Sequence, residues 1–192
     1  MNFLEPGSVE GGILNIDLLK IAIRPAEFSD AQAVFDMAQE SIETTYPFQA
    51  WCHPNYSLED ARIWTSQAEA LRSDGREHHS VVYSLETGEL LGTTALIRFN
   101  QYNGVAETGY FVRESARAQG VGTRACYLTA LFAFQELKLR RLEIIIAKHN
   151  HKSRRVAEKI GAHYEGILKE RLKWNAEFHD AFIYSLFLKD LV

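Results

Sequence analysis

Apolar and polar positions change period in a definite order along the chain. Ile21 to Arg24 alternates as a short strand. Ser29 or Asp30 then stands at a helix cap, ahead of Ala33, Val34, Met37 and Ala38 at helical spacing. Tyr46-Pro-Phe-Gln-Ala-Trp51 reads as an aromatic loop, and Ser57-Leu-Glu-Asp60 starts a second helix with capping-box spacing. Two strands are expected near 79–85 and 90–98, around the turn Thr87-Gly88, and Asn103-Gly104 turns the chain into a strand over 106–112. Val121, Ala125, Leu128 and Phe132 mark a helix near 121–136, and an apolar run over 141–147 follows. That strand, helix, strand order predicts one right-handed parallel crossover. A shorter helix near 152–160 stops at Gly161, and strands near 163–173 and 179–188 flank Asn175-Ala-Glu177. The expected fold class is α+β: a mixed, mostly antiparallel sheet flanked by helices. Residues 1–19 read as a lead-in arm before a single domain over 20–192.

Composition narrows the functional classes. A chain of 192 residues with 46% apolar content suffices for one sizeable core. A net charge of −4 argues against broad nucleic-acid binding, which needs a basic face. Cys52 and Cys126 suit a reducing compartment, with no disulfide expected. No Cys/His spacing of a zinc site occurs, so no metal is expected; His149 and His151 read as exposed polar residues near a loop. No apolar run approaches the roughly 20 residues that span a bilayer, and the first twenty residues make a poor signal peptide. A cytoplasmic protein is therefore expected, with no membrane partner.

The most informative stretch is Arg117-Ala-Gln-Gly120-Val-Gly122-Thr123, between the strand ending at Val112 and the next helix. Glycines there let backbone N–H groups approach a ligand, and the first helical turn adds unpaired donors and about half a positive charge. Such a loop suits a phosphate or pyrophosphate. A dinucleotide fingerprint is formally met by Gly120, Gly122 and Ala125, but seven residues, Arg113 to Gln119, separate strand from glycine. In the dinucleotide fold the strand runs almost directly into the first glycine.

The loop instead resembles the R-x-x-G-x-G motif of the GNAT acetyltransferases. Ile23-Arg-Pro-Ala26 with Asp30-Ala31 is similar to that family's first strand and helix, and Ala106-Glu-Thr-Gly-Tyr-Phe111 to its central strand. Arg141-Leu-Glu-Ile-Ile-Ile146, Asn150-His-Lys-Ser153, Val156-Ala-Glu-Lys-Ile-Gly161 and Glu165-Gly166 follow in the family's order. The combination most resembles ribosomal-protein N-terminal acetyltransferases of the RimJ/RimL type, over roughly residues 21 to 190.

The resemblance implies acetyl-coenzyme A as acetyl donor, its pyrophosphate held by backbone donors of Ala118, Gln119, Gly120, Val121, Gly122 and Thr123, with Arg117 either facing phosphate or solvated. It implies that Phe111 and Val112 offer free backbone groups to the pantetheine arm, beside Asn150. Many members carry a tyrosine in the helix after that asparagine to protonate the departing thiolate. Ala157 stands there, which leaves Ser153 as the candidate acid. Glu107 is the first candidate base, with Glu43, Glu165 and Glu170 behind it. The implied acceptor is a primary amine, first of all the N-terminal α-amine of a ribosomal or other protein. Alternatives are a small amine such as a polyamine, or a non-catalytic coenzyme A-binding module; a homodimer stays open. Tyr46, Phe48, Trp51, Tyr56 and Trp64 supply aromatic surface for the acceptor, and Glu40 and Glu43 negative charge.

Overall fold

The computed structural model describes residues 20–174 and 176–192; the expected lead-in arm over 1–19 lies outside them. Strands β1 (Ile21–Pro25), β2 (His78–Ser84), β3 (Leu90–Asn100), β4 (Val105–Val112), β5 (Arg141–Ala147), β6 (His163–Trp174) and β7 (Glu177–Leu186) form one sheet in the order β1-β2-β3-β4-β5-β7-β6. All pairs are antiparallel except β4 with β5. The helices are α1 (Ala31–Thr45), α2 (Leu58–Ser73), α3 (Val121–Gln135) and α4 (His151–Lys159).

Alternation along the strands sorts side chains onto two faces. On one face, Leu96, Ala106, Leu142, Ile144, Ile146, Tyr184 and Leu186 pack against α3 and α4 through Cys126, Ala130, Phe134, Ala157 and Ile160. On the other, Val81 and Phe111 pack under α1 and α2, against Val34, Met37, Ala38, Cys52, Tyr56 and Ala61. Both thiols are buried, and burial pushes each up, Cys52 to about 11, so neither is a reactive thiolate.

Local signals explain most element ends. Ser57 caps α2 reciprocally: its Oγ accepts from the Asp60 N–H at 3.2 Å, while Asp60 Oδ2 accepts from the Ser57 N–H at 2.8 Å. Gly161, at φ 88, ends the α4 segment. Asp30 differs from its expected role. It precedes α1, but its carboxylate accepts from the Glu27 N–H at 2.9 Å and binds Arg24 through Nη1 and Nη2 at 2.8 and 2.6 Å. It therefore closes the preceding 3-10 turn, Phe28–Asp30, instead of capping the helix.

Candidate active site

Between β4 and α3 the chain passes through a 3-10 turn at Glu114–Ala116 and then the glycine loop. Ala118 (φ 60) and Gly120 (φ 86) are both left-handed, which curls successive backbone groups into a concave loop. The Arg124 N–H returns to the Gly120 carbonyl at 3.0 Å, so Val121, Gly122 and Thr123 lie in the helix's unpaired first turn. No acidic side chain sits in that turn. This donor set fits a pyrophosphate.

Arg117 is committed to the protein. Its Nε donates to the Val112 carbonyl at 3.0 Å, Nη2 to Thr45 Oγ1 at 2.6 Å, and Nη1 pairs with Glu114 at 2.6 Å. It braces the loop against β4 and α1. Gln119 Nε2 likewise donates inward, to the Ser115 carbonyl at 2.9 Å. Gly122 has a steric duty as well: a Cβ there would stand 2.9 Å from Cε2 of the Tyr110 ring.

The parallel β4–β5 ladder runs from Val105↔Arg141 to Thr108↔Ile144 and stops. β4 continues to Val112 paired only with β3, and β5 to Ala147 paired only with β7. Backbone groups of the last turns of β4 therefore face a gap. Strand alternation identifies them. Gly92 lies so close to the Phe111 carbonyl that a Cβ on it would come within 2.1 Å of the oxygen, so Phe111 faces β3. Tyr110 and Val112 face the gap: the Tyr110 carbonyl accepts from Gln49 Nε2 at 3.1 Å, and the Val112 carbonyl from Arg117. Tyr110 and Val112, rather than Phe111, therefore turn their backbone groups toward the gap, and Phe111 contributes its ring.

Across the gap, Asn150 caps α4, its Oδ1 accepting from the Ser153 N–H at 3.1 Å. The Ser153 side chain neighbours the Tyr110 phenol. Burial, chiefly, drives that phenol well above its ordinary value, so it stays protonated. The helix lacks the family's tyrosine at Ala157, and a tyrosine from β4 reaches the same serine. Sequence reading missed Tyr110 because it alternates like any core strand residue; the small Gly122 across from it was the one available signal.

The carboxylates are heavily engaged. Glu107, on β4, shares Oε2 between Arg98 Nη1 at 2.5 Å and Arg171 Nη2 at 3.0 Å. Its Oε1 takes no part in these two bonds. Glu40 accepts from Arg113 Nε and Nη2 at 2.9 and 2.6 Å and from Ser115, and the Arg113 guanidinium holds its carboxyl down at about 2. Glu165 is bound by Arg141 Nη1 and Nη2 at 2.7 and 2.6 Å, which likewise lowers it to about 2. Glu43 is exposed.

Two aromatic groups form around the loop that follows α1. Phe48 stacks on His149 (centroids 5.2 Å apart), His149 contacts Trp174 (5.2 Å), and Trp174 lies flat on His179 (3.5 Å, 8°). His149 is exposed in the turn after β5, as expected, and it also joins a pile that links this turn to Phe48 and to the β6–β7 hairpin. Sequence offers no sign of it, because its members are far apart along the chain. Beside it, Trp51 meets Phe111 and Tyr56 edge-on at 5.1 and 5.6 Å, and a cavity of about 350 Å³ opens beneath.

Comparisons with known proteins agree with this geometry. Residues 20–163 match the profile of the acetyltransferase (GNAT) domain. The Bacillus subtilis (strain 168) protein named "Putative ribosomal N-acetyltransferase YdaF" is 30% identical over 175 residues, covering 88% of this chain and 92% of that one. The spermidine N(1)-acetyltransferase of Escherichia coli (strain K12) is 28% identical over 171 residues, 87% and 86%. A solved structure of RimL, a ribosomal L7/L12 α-N-protein acetyltransferase in complex with coenzyme A, superposes with a TM-score of 0.82 at 20% identity, covering 89% and 96%. The glycine loop, the splayed β4–β5 pair and these matches together make the chain an N-acetyltransferase of the GNAT family.

Proposed function

We propose that the protein transfers the acetyl group of acetyl-coenzyme A to the N-terminal α-amine of a ribosomal or other protein. The observation that carries the reading is the loss of β4–β5 pairing beyond Thr108↔Ile144, with the glycine loop at one end of the gap and the Tyr110–Ser153 pair at its side. The first-turn N–H groups of Val121, Gly122 and Thr123, with the left-handed Ala118 and Gly120, would hold the pyrophosphate. The backbone N–H groups of Tyr110 and Val112, on the edge of β4 that β5 leaves unpaired, would take the pantetheine arm beside Asn150. Acetyl-coenzyme A supplies the activated acyl group. Ser153 provides a proton for the departing sulfur, and the protonated Tyr110 phenol supports its hydroxyl. Glu107 accepts the amine proton through Oε1, the oxygen its two arginines leave open.

Deprotonation cost favours an α-amine. Such a group titrates near 8, so on the order of a tenth is neutral at pH 7, whereas a lysine near 10.4 is neutral at below about 0.1%. The difference is roughly 3 kcal/mol in favour of the α-amine. Names among the relatives include a ribosomal N-acetyltransferase and a ribosomal-protein-serine acetyltransferase, although two name spermidine. Incubation with labelled acetyl-coenzyme A and separate pools of ribosomal proteins and small amines tests the proposal. Label in protein N-termini is expected; label confined to small amines would refute it.

A further inference from the structure

The cavity on the α1/α2 face has a chemistry that neither a small first residue nor a polyamine uses. Its floor is the cross-strand row His79, Ala95, Gly109 with Thr93 and Phe111 beside it. Val34 and Met37 of α1, Trp64 of α2, and Trp51 and Tyr56 of the intervening loop form its walls. Among the described residues no aspartate or glutamate lines it. Glu40, outside the lining, is paired with Arg113 and Ser115, and Glu107, also outside it, shares one oxygen between Arg98 and Arg171. Burial lifts the Tyr56 phenol to about 12, so it adds no charge. A polycation finds nothing here to offset its desolvation.

Size points the same way. An apolar cavity of about 150 Å³ already binds benzene, and this one, at about 350 Å³, has room for a benzyl or branched aliphatic group. It also opens at the reaction site. Gly109, Tyr110 and Phe111 of the unpaired stretch of β4 line it, and nothing lies within 4 Å of the place a Cβ on Gly109 would occupy. The wall is set in advance: Trp51 Nε1 donates to Gln49 Oε1 at 2.6 Å, and Gln49 Nε2 donates to the Tyr110 carbonyl at 3.1 Å. An acceptor whose amine meets the gap at Gly109–Tyr110 therefore has its adjacent substituent in the cavity.

We propose that this cavity is a specificity pocket selecting amines that carry a bulky apolar group beside the nitrogen, such as protein N-termini beginning with Phe or Leu rather than Ser or Ala. The inference rests on the α-amine reading above. It also makes Ala95 and Gly109 specificity-determining residues, since any larger side chain there would fill the space.

Steady-state kcat/KM is to be compared for peptides differing only in the first residue, Phe, Leu, Ala or Ser, alongside 2-phenylethylamine and spermidine. The Phe and Leu peptides are expected to exceed the Ala and Ser peptides by at least about tenfold, since even one methylene in an apolar pocket discriminates by that order. Ala95→Phe should bring the Phe-to-Ser ratio close to one. Equal or better use of Ser and Ala peptides would overturn the pocket and leave the α-amine acceptor standing. Transfer to 2-phenylethylamine but to no peptide would support the pocket and overturn the protein acceptor; transfer to spermidine alone would overturn both. Should the variant not fold, the wild-type ratio still decides.

Discussion

Tyr110→Phe isolates the contact on which the proposed acid chemistry depends. The ring fills the space that Gly122 leaves open, and phenylalanine keeps that ring, so packing is retained and one hydroxyl is lost. The contact removed is the one between the phenol and the neighbouring Ser153 side chain. A hydrogen bond formed between them as Ser153 gives up its proton would contribute about 0.5–1.5 kcal/mol, equivalent to about a two- to tenfold loss of kcat on its removal. Ser153→Ala removes the proton donor itself and should cost about a hundredfold or more. The two effects must not add: without Ser153 the phenol has nothing to support, and the second substitution should change the rate by less than twofold. Free thiol released from acetyl-coenzyme A at saturating acceptor reports kcat, and titration of the donor reports KM, which should stay put in both variants. A wild-type rate in Tyr110→Phe, or the same loss from it with and without Ser153, would refute the coupling.

Three further outcomes follow from other parts of the site. Gly122→Val should weaken coenzyme A binding through both the crowded first turn and the displaced Tyr110 ring, and calorimetry giving wild-type affinity would remove this turn from the donor site. Glu107→Gln should slow transfer by about a hundredfold; a near-normal rate with a lowered melting temperature would assign Glu107 to bracing Arg98 and Arg171 alone. Glu40, held at about 2 in the folded protein against an ordinary 4.5, stabilises the fold above pH 4.5, and that contribution fades as the pH falls toward 2. Denaturant titrations should therefore show Glu40→Gln less stable than wild type at pH 6 and nearly equal to it close to pH 2.

The elements were largely legible because their signals are local. The β5 span and the starts of α3 and α2 follow from apolar period, a glycine turn and a serine cap, all within a few residues. The parallel crossover followed from element order alone. Charged side chains were less legible. Arg117 stands in the motif as if to meet phosphate, yet its partners are Val112, Thr45 and Glu114, and Thr45 lies on α1, seventy-two residues away. Glu40 looked like negative charge for an amine, and Arg113 takes it up. Asp30 sits where a cap would sit, but a short arginine contact redirected its carboxylate. Ion pairs of this kind depend on which elements become neighbours, which period and composition do not encode.

The same reasoning explains how one glycine serves two ends of the site. Gly122 lies in a motif read as a means of bringing backbone to phosphate, and in the folded protein it is also the space into which the Tyr110 ring fits. Tyr110 in turn offers its backbone to the open edge of β4, its hydroxyl to Ser153 and one wall to the apolar cavity. Donor loop, proton donor and acceptor pocket therefore meet at one strand residue. A substitution at Gly122 cannot be confined to the phosphate end: any side chain must move Tyr110, and the shift is passed to Ser153 on one face and to the cavity on the other. Donor binding, turnover and acceptor preference should consequently change together in Gly122 variants, whereas Ala95 variants, which touch only the cavity floor, should change preference alone.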